Sequence, residues 1–424
     1  MTSRLARLPL LRPLRIRDFA LLWTGMTVSL VGDGIYFVAI AWQVYDLSNV
    51  PTALSVVGLA WTAPQVAFLL VGGVASDRFD RRRVMVVADL IRAAAIGAIA
   101  ALALTGALEL WHLLVLVALY GAGEALFMPA FTAIVPDVVP AELLVEANAL
   151  DVFVRTAASR LVGPVVAGAA IAWVGTGGAF VLDAASFLAS AAALAALRPR
   201  PLPSRDGRAS ALADISEGVR FVRSHAWLWG TLISAAVSLL VFYGPWEVLL
   251  PYRVRNELGG SASDLGLVFA SGGLGAIAFS VLMSGRPLPR RHITLMYLSW
   301  AASNALLVVY ATATALWQLM AAAFFAGGLG NAGMIVWMTL MQRRVPRELL
   351  GRVSSLDWFV SIGLIPVSFA LTGPIAETVG AQETLAGAGV LGAAIIVLFL
   401  LLVPGIRDGE RAAVATPSAE IADL

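Results

Sequence analysis

Gly72–Arg83 reads GGVASDRFDRRR, a short stretch holding two Asp and four Arg. Apolar runs flank it closely, at roughly 52–71 and 84–105. Each run is long enough to cross a bilayer as a helix, for which about 20 apolar residues suffice. A charged connection this short between two such runs makes a helical hairpin that turns at a membrane surface. That hairpin sets the fold class as an all-α membrane protein.

Reading outward in both directions gives twelve apolar segments. They lie near 19–45, 53–76, 84–106, 111–135, 148–174, 178–197, 227–251, 264–284, 292–312, 315–340, 353–378 and 384–404. Composition agrees. Of 424 residues, 59% are hydrophobic and 13% charged, against about 25% charged in a water-facing domain. Mean hydropathy is +0.85. The first segment reads as a span and not a cleaved leader, because its apolar run is long and no small-residue cleavage site follows.

All 29 basic residues are Arg, and their placement predicts orientation. Cytoplasmic loops collect basic residues. With the N-terminus inside and spans alternating, 24 arginines fall inside, Arg253 and Arg255 fall outside, and Arg92, Arg155 and Arg160 lie within spans. Both termini are therefore expected in the cytoplasm. The acidic loop between the fourth and fifth segments is the exception.

The chain divides in two. Residues 1–197 form one six-segment half and 227–404 the other. Between them, 198–226 is a cytoplasmic linker rich in Pro, Arg and Ser whose later part can form an amphipathic surface helix. Residues 405–424 read as a disordered tail. The halves share sequence: VPAELLVEANALDVFV at 139–154 and VPRELLGRVSSLDWFV at 345–360 are identical at nine of sixteen positions, at a fixed offset of 206. An internal duplication of six spans accounts for this. The halves are thus expected to form two six-helix bundles.

Several chemistries are excluded. There is no Cys, hence no disulfide or thiolate ligand. His112, His225 and His292 lie near different segment ends and predict no metal site. No nucleotide-binding loop, catalytic triad or nucleic-acid-binding pattern is present. The glycine run at 327–333 falls inside the tenth segment with no strand before it, so close helix packing explains it. No enzyme activity and no cofactor are expected.

These residues resemble the major facilitator superfamily, whose signature between spans 2 and 3 runs Gly-x-x-x-Asp-Arg-x-Gly-Arg-Arg. Gly73, Asp77, Arg78, Arg81 and Arg82 match it, and Asp80 replaces the second Gly. Gly32-Asp33-Gly34, the VP-x-E-L-L loop before span 11, and Gly163-Pro164 with Gly168 are similar to the branch holding the enterobactin exporter and macrolide and tetracycline efflux pumps. That resemblance implies two six-helix bundles in a bacterial inner membrane. It also implies a monomer that exports small amphipathic or lipophilic molecules by alternating access and proton antiport. The alternative is export of an endogenous siderophore or lipid. A membrane-embedded enzyme or a receptor fits less well, since neither a reactive cluster nor a signalling domain is visible.

The resemblance also implies a cytoplasmic gate, in which Asp77 caps the helix starting near Arg352 and Arg81 pairs with Asp137, with Asp357 near the same Arg cluster. Gly163-Pro164, Gly168 and Gly373-Pro374 supply hinge and packing positions. A charge at the bilayer centre costs about 2.5–3.5 kcal/mol on insertion scales, so Asp33, Glu124 and Arg160, near mid-depth, are expected to border a cavity. Burial favours a neutral carboxyl and a nearby guanidinium favours a charged one. A cavity that opens and closes would alternate the two, which makes Asp33, then Glu124, the expected proton carriers. Asp151–Arg155 and Asp89–Arg92 read as structural pairs. Phe37, Phe127, Trp337 and Glu247 are candidates for the substrate cavity, with Asp183 and Glu247 placed near the outer ends of their spans.

Overall fold

The computed structural model describes residues 9–198, 211–284, 288–407 and 410. Its helices are α1 Arg17–Leu47, α2 Pro51–Arg78, α3 Arg81–Thr105, α4 Leu110–Val138, α5 Leu144–Thr156 and α6 Gly163–Ala195. After them come α7 Ala211–Ser224, α8 Ala226–Gly244, α9 Ala262–Met283, α10 His292–Ala305, α11 Leu307–Thr312, α12 Leu316–Arg344, α13 Arg347–Gly363, α14 Ile365–Val379 and α15 Ala381–Leu402. No strand occurs among the described residues.

Eleven stretches are long and apolar enough to cross a membrane, and one of them, Glu146–Ala195, is 50 residues long. A helix of that length would reach about 75 Å, against about 30 Å of hydrocarbon. It reverses instead. Gly175 leaves the helical region with φ 71° and ψ 177°, a left-handed turn that glycine takes without a Cβ clash. The partners of α1 prove the reversal. Met26 and Gly34 meet Arg155 and Gly163, which is a parallel alignment. Gly25, Gly32 and Gln43 meet Ser190, Ser186 and Thr176, which is antiparallel. The two limbs therefore run in opposite directions.

α1 to α6 pack among themselves, as do α8 to α15. Two crossings join the halves. Gly168 on α6 lies against Ser263 on α9, whose hydroxyl donates to the Gly168 carbonyl at 3.0 Å. Gly373 on α14 lies against Thr52 and Ser55 on α2. Small residues allow this approach, because a Cβ on Gly373 would stand 2.5 Å from the Thr52 Cα. The two crossings pair equivalent segments of the repeat, fifth with eighth and eleventh with second.

Polar contacts also join the halves at the end carrying Arg253 and Arg255. Tyr45 donates to the Val248 carbonyl at 2.6 Å, Arg255 pairs with Asp46 at 2.7 Å, and Asn49 donates to Asn256 at 2.8 Å. Short π-helical turns at Pro245–Leu249 and Arg253–Glu257 shape this end. The linker helix α7 is present and packs on α13, where Arg352 forms an ion pair with Glu217 and covers Gly218. Residues 199–210, in the first part of the expected linker, and 411–424, most of the expected tail, lie outside the described residues.

Candidate functional site

The first half holds a cluster of charges built from α1, α3, α4 and α6. Its local cause in α1 is the sequence Gly32-Asp33-Gly34. A Cβ on Gly32 would meet Asp183 and Ser186, and one on Gly34 would stand 2.8 Å from the Gly163 Cα. The two glycines let α6 close on α1 from both sides. Asp33 is held between those contacts and turned toward α4.

There Tyr120 donates its hydroxyl to Asp33 Oδ1 at 3.0 Å. The Tyr36 ring stacks on Tyr120 at 4.6 Å and fixes it. One turn later on α4, Glu124 accepts from Trp61 Nε1 at 3.0 Å, and Trp61 packs edge-on against Phe37 at 5.4 Å. Asp33 and Glu124 are both half-buried and both held by neutral donors.

Arg155 lies within electrostatic range of both carboxylates, and so does Arg92, the cation built into this cluster. It is ion-paired with Asp89 on its own helix, and its guanidinium lies between the rings of Phe127 and Phe187, 4.4 Å from each centroid. Cation–π contact from both faces partly replaces the water it has lost. Asp183 stands beside Gly32, wholly buried, with Oδ2 lacking a hydrogen-bond partner. Asp33, Asp89, Glu124 and Asp183 thus all lie near Arg92, with Arg155 also in range of Asp33 and Glu124.

Arg160 is not part of this cluster. It sits in a π turn, Ala157–Val162, that rotates it toward the second half. It lies 5.7 Å over the Trp246 ring and is in electrostatic range of Tyr243 and Glu247. Straight α-helical counting from Arg155 cannot anticipate that extra residue in the turn. Glu247 is half-buried within the Pro245–Leu249 turn and faces this arginine. Asp183 also differs from expectation. The chain reverses at Gly175, so Asp183 lies eight residues down the returning limb, about 12 Å from its end. Sequence reading placed it at the outer end and set Asp89 and Arg92 aside as structural. The signal available for them was charge in a long apolar run, the same signal that singled out Asp33.

At the other end of the first half, Arg81 donates to Asp137 at 2.6 Å and to the Ala133 carbonyl at 3.0 Å. Arg82 donates to the Leu197 carbonyl at 2.7 Å. Asp80 stands where the motif has its second Gly. It is the N-cap of α3 with φ −55°, accepting from the Arg82 backbone at 2.9 Å, so a capping carboxylate replaces the expected glycine. Gly73 faces open space and Arg78 is exposed. The Asp77 side chain lies outside the described residues. Asp151 and Arg155 pair at 3.4 Å.

Asp357 stands apart from Arg81 and Arg82. It accepts from Trp337 Nε1 at 3.1 Å and from Ser361 at 3.5 Å, lining a cavity inside the second half. Trp337 lines the same cavity, whereas Phe127 is buried against Arg92 and Phe37 is half-buried against Trp61. Pro164 follows Gly163 at the α1 contact, and the Pro164 carbonyl meets Gly266 of α9. Pro374 lies inside α14 beside the Gly373 crossing. No group of three or more His, Asp or Glu suited to a metal occurs among the described residues.

A family model described as transmembrane secretion effector matches residues 9–422. The multidrug efflux pump Tap of Mycolicibacterium fortuitum is 29% identical over 391 residues, covering 88% of this chain and 91% of its own. Macrolide efflux protein A of Streptococcus pyogenes is 24% identical over 406 residues, covering 92% and 96%. Among solved structures, a D323A mutant of the nucleoside transporter NupG superposes with TM-score 0.69 at 11% identity, covering 90% of this chain and 99% of the other. A bacterial homologue of the iron transporter ferroportin gives 0.66 at 17% identity, covering 91% and 98%. At such identities these structures speak for the fold alone.

Proposed function

This chain belongs to the transmembrane secretion effector family of major facilitator transporters, and from that premise we propose that it exports small amphipathic or lipophilic compounds by proton antiport. It is a transporter and not an enzyme. Efflux as the direction follows the relatives, two of which are named as drug or macrolide efflux proteins.

The observation that carries the coupling is the state of Asp33 and Glu124. Each is half-buried and held by a neutral donor, while the adjacent Arg92 is paired with Asp89. A carboxyl held this way can gain a proton without breaking an ion pair. Movement of the two halves about the glycine-lined crossings would change how far water reaches it. Protons entering down their gradient then drive substrate outward. Each charge crossing 100 mV supplies about 2.3 kcal/mol. In this reading the end joined by Tyr45, Arg255 and Asn49 faces outward, both termini face the cytoplasm of a bacterial inner membrane, and the Arg81–Asp137 pair braces the inner end. A monomer suffices.

The test is uptake of a dye such as ethidium, and of a macrolide, into inverted vesicles under an imposed pH gradient. Wild type accumulates at least one of them when the interior is acidic, and Asp33→Asn does not. Absence of gradient-driven uptake by wild type refutes proton antiport of these compounds. Unchanged uptake by Asp33→Asn refutes the assignment of the carrier.

A further inference from the structure

We propose that the cavity inside the second half is a binding pocket for organic cations, with Asp357 as the counter-charge and tryptophan rings as its walls. The inference rests on the transport reading above and adds the chemical class that this half recognises. The cavity has a volume of about 270 Å³ and lies between α8, α10, α12 and α13. It is separate from the Asp33 cluster, which belongs to the first half.

Three features of the lining point to this ligand. First, Asp357 is the one charged residue on the wall among the described residues. Its hydrogen bonds come from Trp337 and Ser361, both neutral, and no Arg or His among the described residues pairs with it. A carboxylate without a counter-ion in a largely apolar space is costly to keep charged. A cationic guest supplies the missing charge and so gains affinity that a neutral guest does not. Second, Trp300, Trp337 and Trp358 contribute to the same wall. Indole faces attract cations that are poorly hydrated, such as quaternary or aryl-substituted ones. Third, Met334 and Met338 line the cavity and are 45% and 40% exposed, as is Trp358 at 56%. Methionines on an accessible rim repack around guests of different shape. Hydroxyls of Ser234 and Ser238 on α8 add weak polar contacts. An anion meets Asp357 as a like charge and is rejected.

The repeat sharpens the point. Asp357 is the counterpart of Asp151 at the offset of 206. Asp151 is neutralised by Arg155 one turn on, but the position equivalent to Arg155 is Ser361. The second copy thus carries the carboxylate without its cation.

The experiment compares two ions of nearly the same shape and opposite charge on the purified full chain in nanodiscs. Displaceable binding of radiolabelled tetraphenylphosphonium is measured beside that of tetraphenylborate. Wild type is expected to prefer the cation by tenfold or more. Asp357→Asn is expected to abolish that preference, Asp357→Glu to retain it, and Trp358→Leu to weaken cation binding several-fold. Should Asp357→Asn fail to fold, the Glu and Leu variants still decide. Equal binding of both ions by wild type, wild-type affinity of the cation for Asp357→Asn, or unchanged cation binding by Trp358→Leu each overturns the proposal. Asp33→Asn separates the two readings. It should lose gradient-driven transport and keep cation binding. Cation binding without any gradient-driven transport by wild type would refute antiport and leave the pocket standing.

Discussion

The Tyr120 hydroxyl donates to Asp33 Oδ1 at 3.0 Å across 87 residues of sequence. Tyr120→Phe keeps the ring, and so its stacking on Tyr36 at 4.6 Å, while deleting the donor. A hydrogen bond to a charged group is worth about 1.5–3 kcal/mol. The expected outcome is a folded protein whose gradient-driven uptake falls by about tenfold or more. Uptake equal to wild type would show that this bond does not govern Asp33.

Arg92 and Asp89 are both buried. Removing one member of such a pair costs about 3–5 kcal/mol, because the other charge is stranded, whereas replacing both by apolar residues is often neutral or better. Arg92→Met is therefore expected to lower the thermal midpoint in detergent markedly, and the double variant Arg92→Met with Asp89→Leu to recover most of it. If the double variant melts as low as the single one, the loss comes from packing against Phe127 and Phe187 and not from the uncompensated carboxylate.

Gly34 has no room for a side chain. An added Cβ would stand 2.7 Å from the Ser159 carbonyl and 2.8 Å from the Gly163 Cα. Overpacking of this kind costs about 1–3 kcal/mol. Gly34→Ala should reduce both thermal stability and transport. Gly73→Ala, which meets open space, should leave the thermal midpoint unchanged. Equal midpoints for the two variants would contradict the packing described for α1 and α6.

The chain has no cysteine, so introduced pairs report cleanly. Asn49 and Asn256 touch across the halves at 2.8 Å. Cysteines at both positions, joined by a short bis-methanethiosulfonate reagent, are expected to abolish transport, with recovery after reduction. Full transport by the cross-linked protein would mean that the halves need not separate at this end.

Arg255 and Asp46 pair at 2.7 Å near the same end, with side-chain exposures of 25% and 43%. Exposed pairs contribute about 0–1 kcal/mol. Arg255→Gln is expected to shift the thermal midpoint by a few degrees at most. A collapse of stability would assign Arg255 a larger role through Trp42, over whose ring it lies at 5.1 Å.

Much of the architecture was legible because its cause is one-dimensional. A span is a run of apolar residues, and Arg bias is a count along the chain, so the segments and the duplication could be read directly. Even the exception is instructive. The fifth and sixth segments merge into one helical stretch, and only φ at Gly175 separates them. Asp80 shows the same limit on a smaller scale. The position of the motif's second Gly is filled by a carboxylate that caps α3.

The sequence by itself determined that charges lie within membrane-length apolar runs, and that Asp33 and Glu124 are among them. Only the tertiary structure decided which charges meet. Arg160, expected beside Asp33, turns instead toward Trp246, and Arg92, read as a local pair, lies in range of both Asp33 and Glu124. Asp183 joins them from a limb whose direction depends on one turn, and Asp357 lines a cavity instead of meeting Arg81. The physical reason is that a span's depth in the bilayer follows from its own residues. The rotation that aims each side chain at a neighbour follows from small residues on other helices, far away in sequence and invisible to any reading made one segment at a time.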